Sequence, residues 1–246
     1  MFSILVPALK ERKNLEIILP VLNLLCTDIV VIDGNSNDGT DVVCKNNNVS
    51  FVLQKSRGKG NALIEGIEYC KHNVVCFFDA DLSHDPANIL SLVNPILNGD
   101  FRHVSGSRML GGSSELFSDA QHFVRLFGSL VINYLISTKF KFLMTDCQNG
   151  FRALDKNLFK SLSLTSAHTT IEQELVAKTL ALGIPILEIP THEYQRHYGE
   201  SKINVLKHGW SYLFNLIKYM VMSKVDINYD QYLALKAKYP FDWWIK

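Results

Sequence analysis

The sequence predicts an α/β fold: a mostly parallel central sheet flanked by helices, with amphipathic helices toward the C-terminus. Three observations predict it. Short apolar runs alternate with amphipathic ones through the first half of the chain, the pattern of successive βαβ units. The run Val74 to Phe78 is continuously apolar, as a strand buried on both faces requires. Turns rich in Gly, Asn, Asp and Pro separate the runs.

The elements follow in order. Phe2 to Val6 reads as a strand and Asn14 to Leu25 as a helix. Ile29 to Ile32 is a strand ending at Asp33, and a Gly/Asn/Ser/Asp turn leads into a helix from Asp38 to Lys45. Ser50 to Leu53 is a strand and Gly60 to Cys70 a helix, followed by the buried strand at Val74. Asp85-Pro86 opens the next helix, with Pro at an early position where its missing N–H costs nothing. Beyond this the pattern changes. Val124 to Phe142 is apolar with Arg125, Lys139 and Lys141 near its ends. Thr170 to Leu182 is a helix closed by Gly183, a natural residue just past a helix end. Ile186 to Ile189 is a strand, Thr191 to Lys202 a polar, aromatic and basic loop, and Asn204 to Met222 a long helix. No Pro/Gly/Ser linker divides the chain. Residues 1–223 are therefore expected as one domain and 224–246 as a tail.

Composition bounds the function. The chain has 246 residues, enough to bury a sizeable core, with 47% hydrophobic and 20% charged residues. A formal net charge of +1 gives no bulk pull toward nucleic acid, so an anionic ligand must be held by local basic groups. The five cysteines form no Cys-x-x-Cys pair and read as thiols of a reducing compartment. Pro7 and Glu11 interrupt the first apolar run, and no stretch of about 18 uncharged apolar residues is present. The expectation is a cytoplasmic protein, peripheral at most on a membrane.

The strongest chemical signal is Asp79-Ala80-Asp81, directly after the buried strand. Ligands of open α/β sheets bind beyond the carboxyl ends of strands. Two carboxylates there can share a hard divalent cation that also holds substrate phosphates. An Asp-rich turn into the helix at Asp85 is the plain alternative; the position favours the metal. Asp33 also ends a strand, where a carboxylate can accept from a ribose or a base; a Gly/Asn turn explains the same residues. Gln195 to Lys202 gathers Arg196, Lys202, hydroxyls and a Gly, which suits a lid over phosphates, Arg as a fork and Lys as a point charge. Arg108 follows another strand and can reach the same place. Asp146, Gly150-Phe151-Arg152 and Glu174 are further polar positions, available as a base, acceptor ligands, caps or ion-pair members. His84, His192 and His197 are too scattered for a metal set, and Arg57-Gly58-Lys59-Gly60 is only a short basic Gly turn.

Taken together these motifs resemble the family 2 glycosyltransferases, and within them the dolichyl- or polyprenyl-phosphate mannosyltransferases. The matching pieces run from Val6 to about Lys207: Val6-Pro7 with Glu11 and Asn14; Ile32-Asp33 through Thr40; Gly58-Lys59-Gly60 with Ala62; Asp79 to His84 with Pro86; Gly106-Ser107-Arg108; Asp146 with Gly150-Phe151-Arg152; Glu174; and Tyr198 to Lys202. The segments from Asp79 to His84 and from Tyr198 to Lys202 are the specific ones. The resemblance implies a GT-A (Rossmann-like) domain. It implies a nucleotide site lined by Pro7, Leu9, Glu11 and Asp33, with Asp79 and Ala80 on the donor and Asp79 with Asp81 facing Mg²⁺ or Mn²⁺. Arg108, Arg196 and Lys202 would hold phosphates. Asp79, Asp81, Arg196 and Lys202 then form the catalytic set, and Lys59, Asp146, Arg152 and Glu174 complete the substrate contacts. Three positions depart from the family: Leu9 replaces a frequent aromatic residue, Asp33-Gly34 replaces an Asp-Asp pair, and Ser83 stands where some members have Gln. The Asp33-Gly34 change bears on the base and sugar of the donor.

The implied reaction is an inverting hexosyl transfer, GDP-mannose being the favoured donor, to a polyprenyl or dolichyl phosphate. That phosphate is already anionic near neutrality and needs no strong base. A hydroxyl acceptor would need one, and Asp146 or Glu174 is the candidate. The helices at Val124 and Asn204 can lie in a membrane interface or pack on the sheet. Competing readings are transfer from UDP-glucose or UDP-N-acetylglucosamine to a lipid, soluble or glycan acceptor, and a nucleotide-sugar-binding subunit without turnover. A nucleotidyltransferase lacks support because no Gly-rich basic loop follows the first strand.

Overall fold

A computed structural model describes residues 1–114, 120–196 and 205–240. In chain order the elements are β1 (Ser3–Ala8), α1 (Arg12–Leu25), β2 (Ile29–Asp33), α2 (Thr40–Asn46), β3 (Ser50–Leu53), α3 (Lys59–Gly66), β4 (Val74–Phe77) and α4 (Ile89–Leu97). They continue as β5 (His103–Ser107), α5 (Arg108–Gly111), α6 (Ala120–Phe140), β6 (Arg152–Asp155), α7 (Lys156–Ser161), α8 (Ile171–Ala181), β7 (Leu187–Pro190), α9 (Val205–Met220) and α10 (Tyr229–Lys236).

The strands form one seven-stranded sheet in the order β3-β2-β1-β4-β6-β5-β7. All neighbours are parallel except those of β6, which runs antiparallel to both β4 and β5. Every residue of β2, β4 and β5 is buried, which is why β2 and β4 read as apolar runs, whereas β5 buries His103, Ser105 and Ser107 and does not. Two cores flank the sheet. The larger packs α1, α4 and α6 over one face; the smaller sets Leu5, Ile32 and Phe77 against Leu63, Phe159 and Leu175.

The antiparallel strand lies where the sequence showed only a polar island. Arg152 opens it, opposite Phe77 and Ser105, and is fully buried. Its guanidinium donates through Nε to Asn149 O at 2.9 Å and lies 3.3 Å from His103 Nε2. A charge can stay inside only with such partners. Residues within 224–240 pack back onto the domain: Tyr232 sits edge-on to Phe101 and Phe142, and Lys238 and Tyr239 both bond Asp100. All five cysteines are buried and unpaired. No helix among the described residues is long and apolar enough to cross a membrane.

Candidate functional site

The chain lays β1, β2 and β3 outward in one direction, then returns to place β4 on the other side of β1. That reversal opens a crevice beyond the carboxyl ends of β1 and β4, the usual ligand position in such sheets. A cleft of about 720 Å³ fills it, within the range of small-molecule sites. Pro7, Leu9, Glu11, Lys59, Asp79, Ala80, Asp81 and Arg196 all line it, so eight of the residues proposed from sequence meet in one place.

Local structure explains how each acid is aimed. After β4 the chain turns sharply, with Leu82 in the left-handed region at φ 63°. Asp81 holds this turn: its Oδ1 accepts from Ser83 N at 3.1 Å and Ser83 Oγ at 2.6 Å. Its Oδ2 is left facing Arg196, whose Nη2 lies 3.2 Å away. Asp79 instead receives Lys59, with Nζ 2.7 Å from Oδ1 and 3.0 Å from Oδ2. The same ammonium lies 2.8 Å from Oε1 of the buried Glu172. Burial opposes the charge on Lys59, but the two carboxylates outweigh it and raise the pKa. Burial likewise opposes ionisation of Asp79, and Lys59, His84 and Arg196 outweigh it, so its pKa is lowered. At neutral pH Lys59 and Asp79 therefore meet as an ion pair.

Two glycines make this possible. A Cβ at Gly150 would stand 2.5 Å from Asp79 Oδ2 and 2.6 Å from Lys59 Nζ. A Cβ at Gly60 would collide with Ser166 O, because the turn before α3 packs directly on residues 166–167. That loop is held by Glu174, which accepts from Thr165 N and Ser166 N and pairs with Lys178 at 2.7 Å. Glu174 therefore supports the turn that carries Lys59 and does not line the cleft. Glu172, two residues earlier on α8 and so on another side of the helix, does not line the cleft either but reaches Lys59 from behind it. Nothing in the local sequence around Glu172 marks it as a partner of Lys59.

Other proposed residues have different surroundings. Asp33 is buried and spends both oxygens on Ser36: Ser36 N donates to Oδ2 at 2.8 Å and Ser36 Oγ to Oδ1. It organises the turn, and its neighbour Gly34 lines the cleft instead. A Cβ on Gly34 would lie 3.2 Å from Leu9 Cδ1, so two of the departures from the family pattern touch each other in the same wall. Arg108 makes a bidentate pair with Asp146, Nε to Oδ2 at 2.7 Å and Nη2 to Oδ1 at 2.9 Å, and its Nη1 lies 3.2 Å from Glu193 Oε1. Burial works against that charge, yet Asp146 and Glu193 raise the Arg108 pKa further. Arg108, Asp146, Arg152 and Asp33 do not line the cleft. Lys202 lies outside the described residues.

Segment 191–196 crosses beside the acidic motif. Thr191 N donates to Ser107 O, Glu193 N to Gly112 O, and Tyr194 N to Ser83 O at 2.8 Å. These bonds deliver Arg196 to Asp81.

No group of three or more His, Cys, Asp or Glu among the described residues is arranged as a metal cage. The donor set nevertheless fits a hard cation carried in on a diphosphate, which binds through one or two carboxylates plus phosphate oxygens. Asp81 Oδ2 is the better-placed oxygen, since Asp79 is gripped on both oxygens by Lys59.

A sheet of this order with a paired-acid motif at its switch point defines a nucleotide-binding α/β enzyme. The profile described as Glycosyl transferase family 2 matches residues 3–163, and the chain belongs to that family of transferases. An uncharacterized protein of Methanocaldococcus jannaschii is 28% identical over 221 residues, 87% of this chain and 90% of that protein. The UDP-N-acetylglucosamine–dolichyl-phosphate N-acetylglucosaminyltransferase of Methanococcus voltae is 25% identical over 248 residues, 90% of this chain and 96% of that enzyme. Glucosyl-3-phosphoglycerate synthase of Mycobacterium tuberculosis, solved with Mn²⁺, UDP-glucose and glycerol 3-phosphate, superposes with a TM-score of 0.70 at 18% identity. The superposition covers 91% of this chain and 81% of that one, and it establishes the GT-A fold.

Proposed function

We propose that this transferase moves a hexose, with inversion, from a nucleotide-sugar to a polyprenyl or dolichyl phosphate, and that it works with Mg²⁺ or Mn²⁺. The observation that carries the reading is the cleft itself, where Lys59 and Arg196 face Asp79 and Asp81 at the end of β4. A bound divalent ion would supply charge neutralisation at the diphosphate, with Asp81 and Asp79 as its protein ligands. Lys59 and Arg196 stabilise the negative charge that grows on the leaving diphosphate. Pro7, Leu9 and Glu11 contact the nucleotide, with Gly34 beside Leu9. An acceptor phosphate oxygen forms the new bond to the anomeric carbon as the bond to the diphosphate breaks. The catalytic machinery lies within residues 1–223.

The acceptor class is supported by the state of the two carboxylates proposed as bases. Asp146 and Glu174, the two carboxylates a hydroxyl acceptor would call on, are committed to Arg108 and to the 165–166 loop. Their pKa values are lowered: burial raises each, and the bonds they accept outweigh it. A phosphate monoester, with a second pKa of about 6, needs no such base.

GDP-mannose is the donor favoured by the motif resemblance. The M. voltae relative, named for UDP-N-acetylglucosamine and dolichyl phosphate, supports a UDP-sugar as the second reading. Purified protein with Mn²⁺, a short polyprenyl phosphate and GDP-mannose, UDP-glucose or UDP-N-acetylglucosamine decides between them. Lipid-linked sugar from one donor, lost in Asp81→Ala, is the expected result. Metal-dependent donor binding without lipid product would replace the acceptor with a soluble one.

A further inference from the structure

Helix α6 carries apolar residues on both sides, and Leu126, Ile132, Ile136 and Phe140 are buried. Its sheet side buries two polar residues: Ser129 donates to Gln148 Oε1, and Asn133 both donates to Thr145 O and accepts from Cys147 N. Its outer side is apolar. Phe127, Leu130, Val131 and Tyr134 recur at one-turn spacing and are all exposed, Tyr134 by 69%. Helix α9, packed against α6, likewise has apolar residues on both sides: Leu216 and Tyr219 face inward, while Phe214, at 73% exposure, and Ile217 face out, with Val221 exposed just past its end. Exposed apolar residues scattered singly need no explanation, but two adjoining stripes do.

Charge says what covers them. Residues 120–145 and 201–225 contain no Asp or Glu at all, although the chain carries 24. The same two segments contain Arg125, Lys139 and Lys141, and Lys202, Lys207, Lys218 and Lys224. Helix α1 is the contrast: it too exposes Ile17, Val21 and Leu24, but its surface bears Glu16 paired with Arg12. Just past the second segment, Asp226 lies 3.9 Å from Lys224. Apolar stripes whose segments carry Lys and Arg but no Asp or Glu complement an anionic bilayer surface, where aliphatic and aromatic groups enter the headgroup boundary and a cation such as Lys141 or Lys218 meets lipid phosphate.

The helices also adjoin the candidate site. Asn133 braces residues 145–147, which include the Asp146 paired with Arg108. Tyr212 of α9 donates to Thr169, a wall of the cleft. We infer that the outer faces of α6 and α9 form a docking surface for anionic membrane, which holds the cleft at the bilayer surface. This rests on the lipid-acceptor reading, which it extends to the surface on which that acceptor resides.

Co-sedimentation of the full chain with vesicles tests it without any sugar transfer. Phosphatidylcholine vesicles with and without phosphatidylglycerol, both free of polyprenyl phosphate, are the probes. The expected result is binding that requires phosphatidylglycerol, weakens with salt, and falls roughly tenfold or more in Tyr134→Glu and in Phe214→Glu. Circular dichroism and nucleotide binding should be unchanged in both variants, because both side chains are exposed and neither lines the cleft. Binding that ignores phosphatidylglycerol, or that survives both substitutions, would overturn the inference. So would a self-association without lipid that the same substitutions abolish. Transfer to a polyprenyl phosphate in detergent is scored separately, so loss of docking and loss of the lipid-acceptor reading give different outcomes.

Discussion

Two buried ion clusters lie near the carboxyl ends of the strands, and they differ in how fully they are used. In Arg108–Asp146–Glu193 every group is saturated. Asp146 accepts from Arg108 through N, Nε and Nη2 and from Gln148 N, while Glu193 takes Arg108 Nη1 and, at 2.5 Å, Ser113 Oγ. Neither Arg108 nor Asp146 faces the cleft. In Lys59–Asp79–Glu172 a single ammonium serves two carboxylates, and Glu172 Oε2 is buried with no hydrogen-bond partner among the described residues. Lys59 and Asp79 line the cleft. Buried polar capacity left unspent is costly and is kept where a ligand uses it. The first cluster is a brace between β5 and segment 191–196; the second is a site.

Substitution should separate them. The largest effect is expected from Arg108→Ala, which strands Asp146 and Glu193 without their cation. Breaking a buried pair costs about 3–5 kcal/mol, so chemical denaturation should show a stability loss of that size. Lys59→Ala should act on the reaction instead, lowering transfer about 10²- to 10³-fold, the usual cost of removing one preorganised charge from a transition state. Its melting temperature should fall by less than that of Arg108→Ala, because the cleft admits water to Asp79. Equal stability losses in the two variants would remove the distinction.

A subtler test uses Glu188, which lies behind the brace and accepts from Thr145 N at 2.7 Å and Asp146 N at 2.8 Å. Burial pushes its pKa up to about 7 against those bonds. The folded state then holds a proton that the unfolded state loses above its ordinary value of 4.5. The sign follows: this stabilising contribution is complete below about pH 4.5 and is lost as pH rises through about 7. It amounts to at most on the order of 3 kcal/mol. Glu188→Gln should flatten the stability profile across that window, read by denaturation at a series of pH values.

The same contrast explains what the sequence could reveal. Strands β1, β2 and β4 and the acid motif were legible because burial on both faces leaves a nearly unbroken apolar run and because Asp79 closely follows one. The eight residues of the cleft came out of motif order. Strand β6 stayed hidden because Arg152, a charged residue, opens it inside the core, held by Asn149 and His103. Arg108 read as a phosphate ligand because nothing local announces that Asp146 and Glu193, 38 and 85 residues away, neutralise it. Glu172 and Glu174 could not be told apart by periodicity. Helix α8 is buried on nearly every side, so its hydrophobic phase has no direction, and only packing sends Glu172 to Lys59 and Glu174 to the loop.

The central claim is that the cleft at Asp79–Asp81 takes the diphosphate of a nucleotide-sugar together with a divalent ion. Calorimetric titration of GDP and UDP into the protein, with and without Mn²⁺, tests it most directly, with Asp81→Ala as the paired variant. The account predicts that one nucleotide binds, that Mn²⁺ strengthens binding at least about tenfold, and that Asp81→Ala abolishes the Mn²⁺ effect. Binding of equal strength without Mn²⁺ and in Asp81→Ala would contradict it.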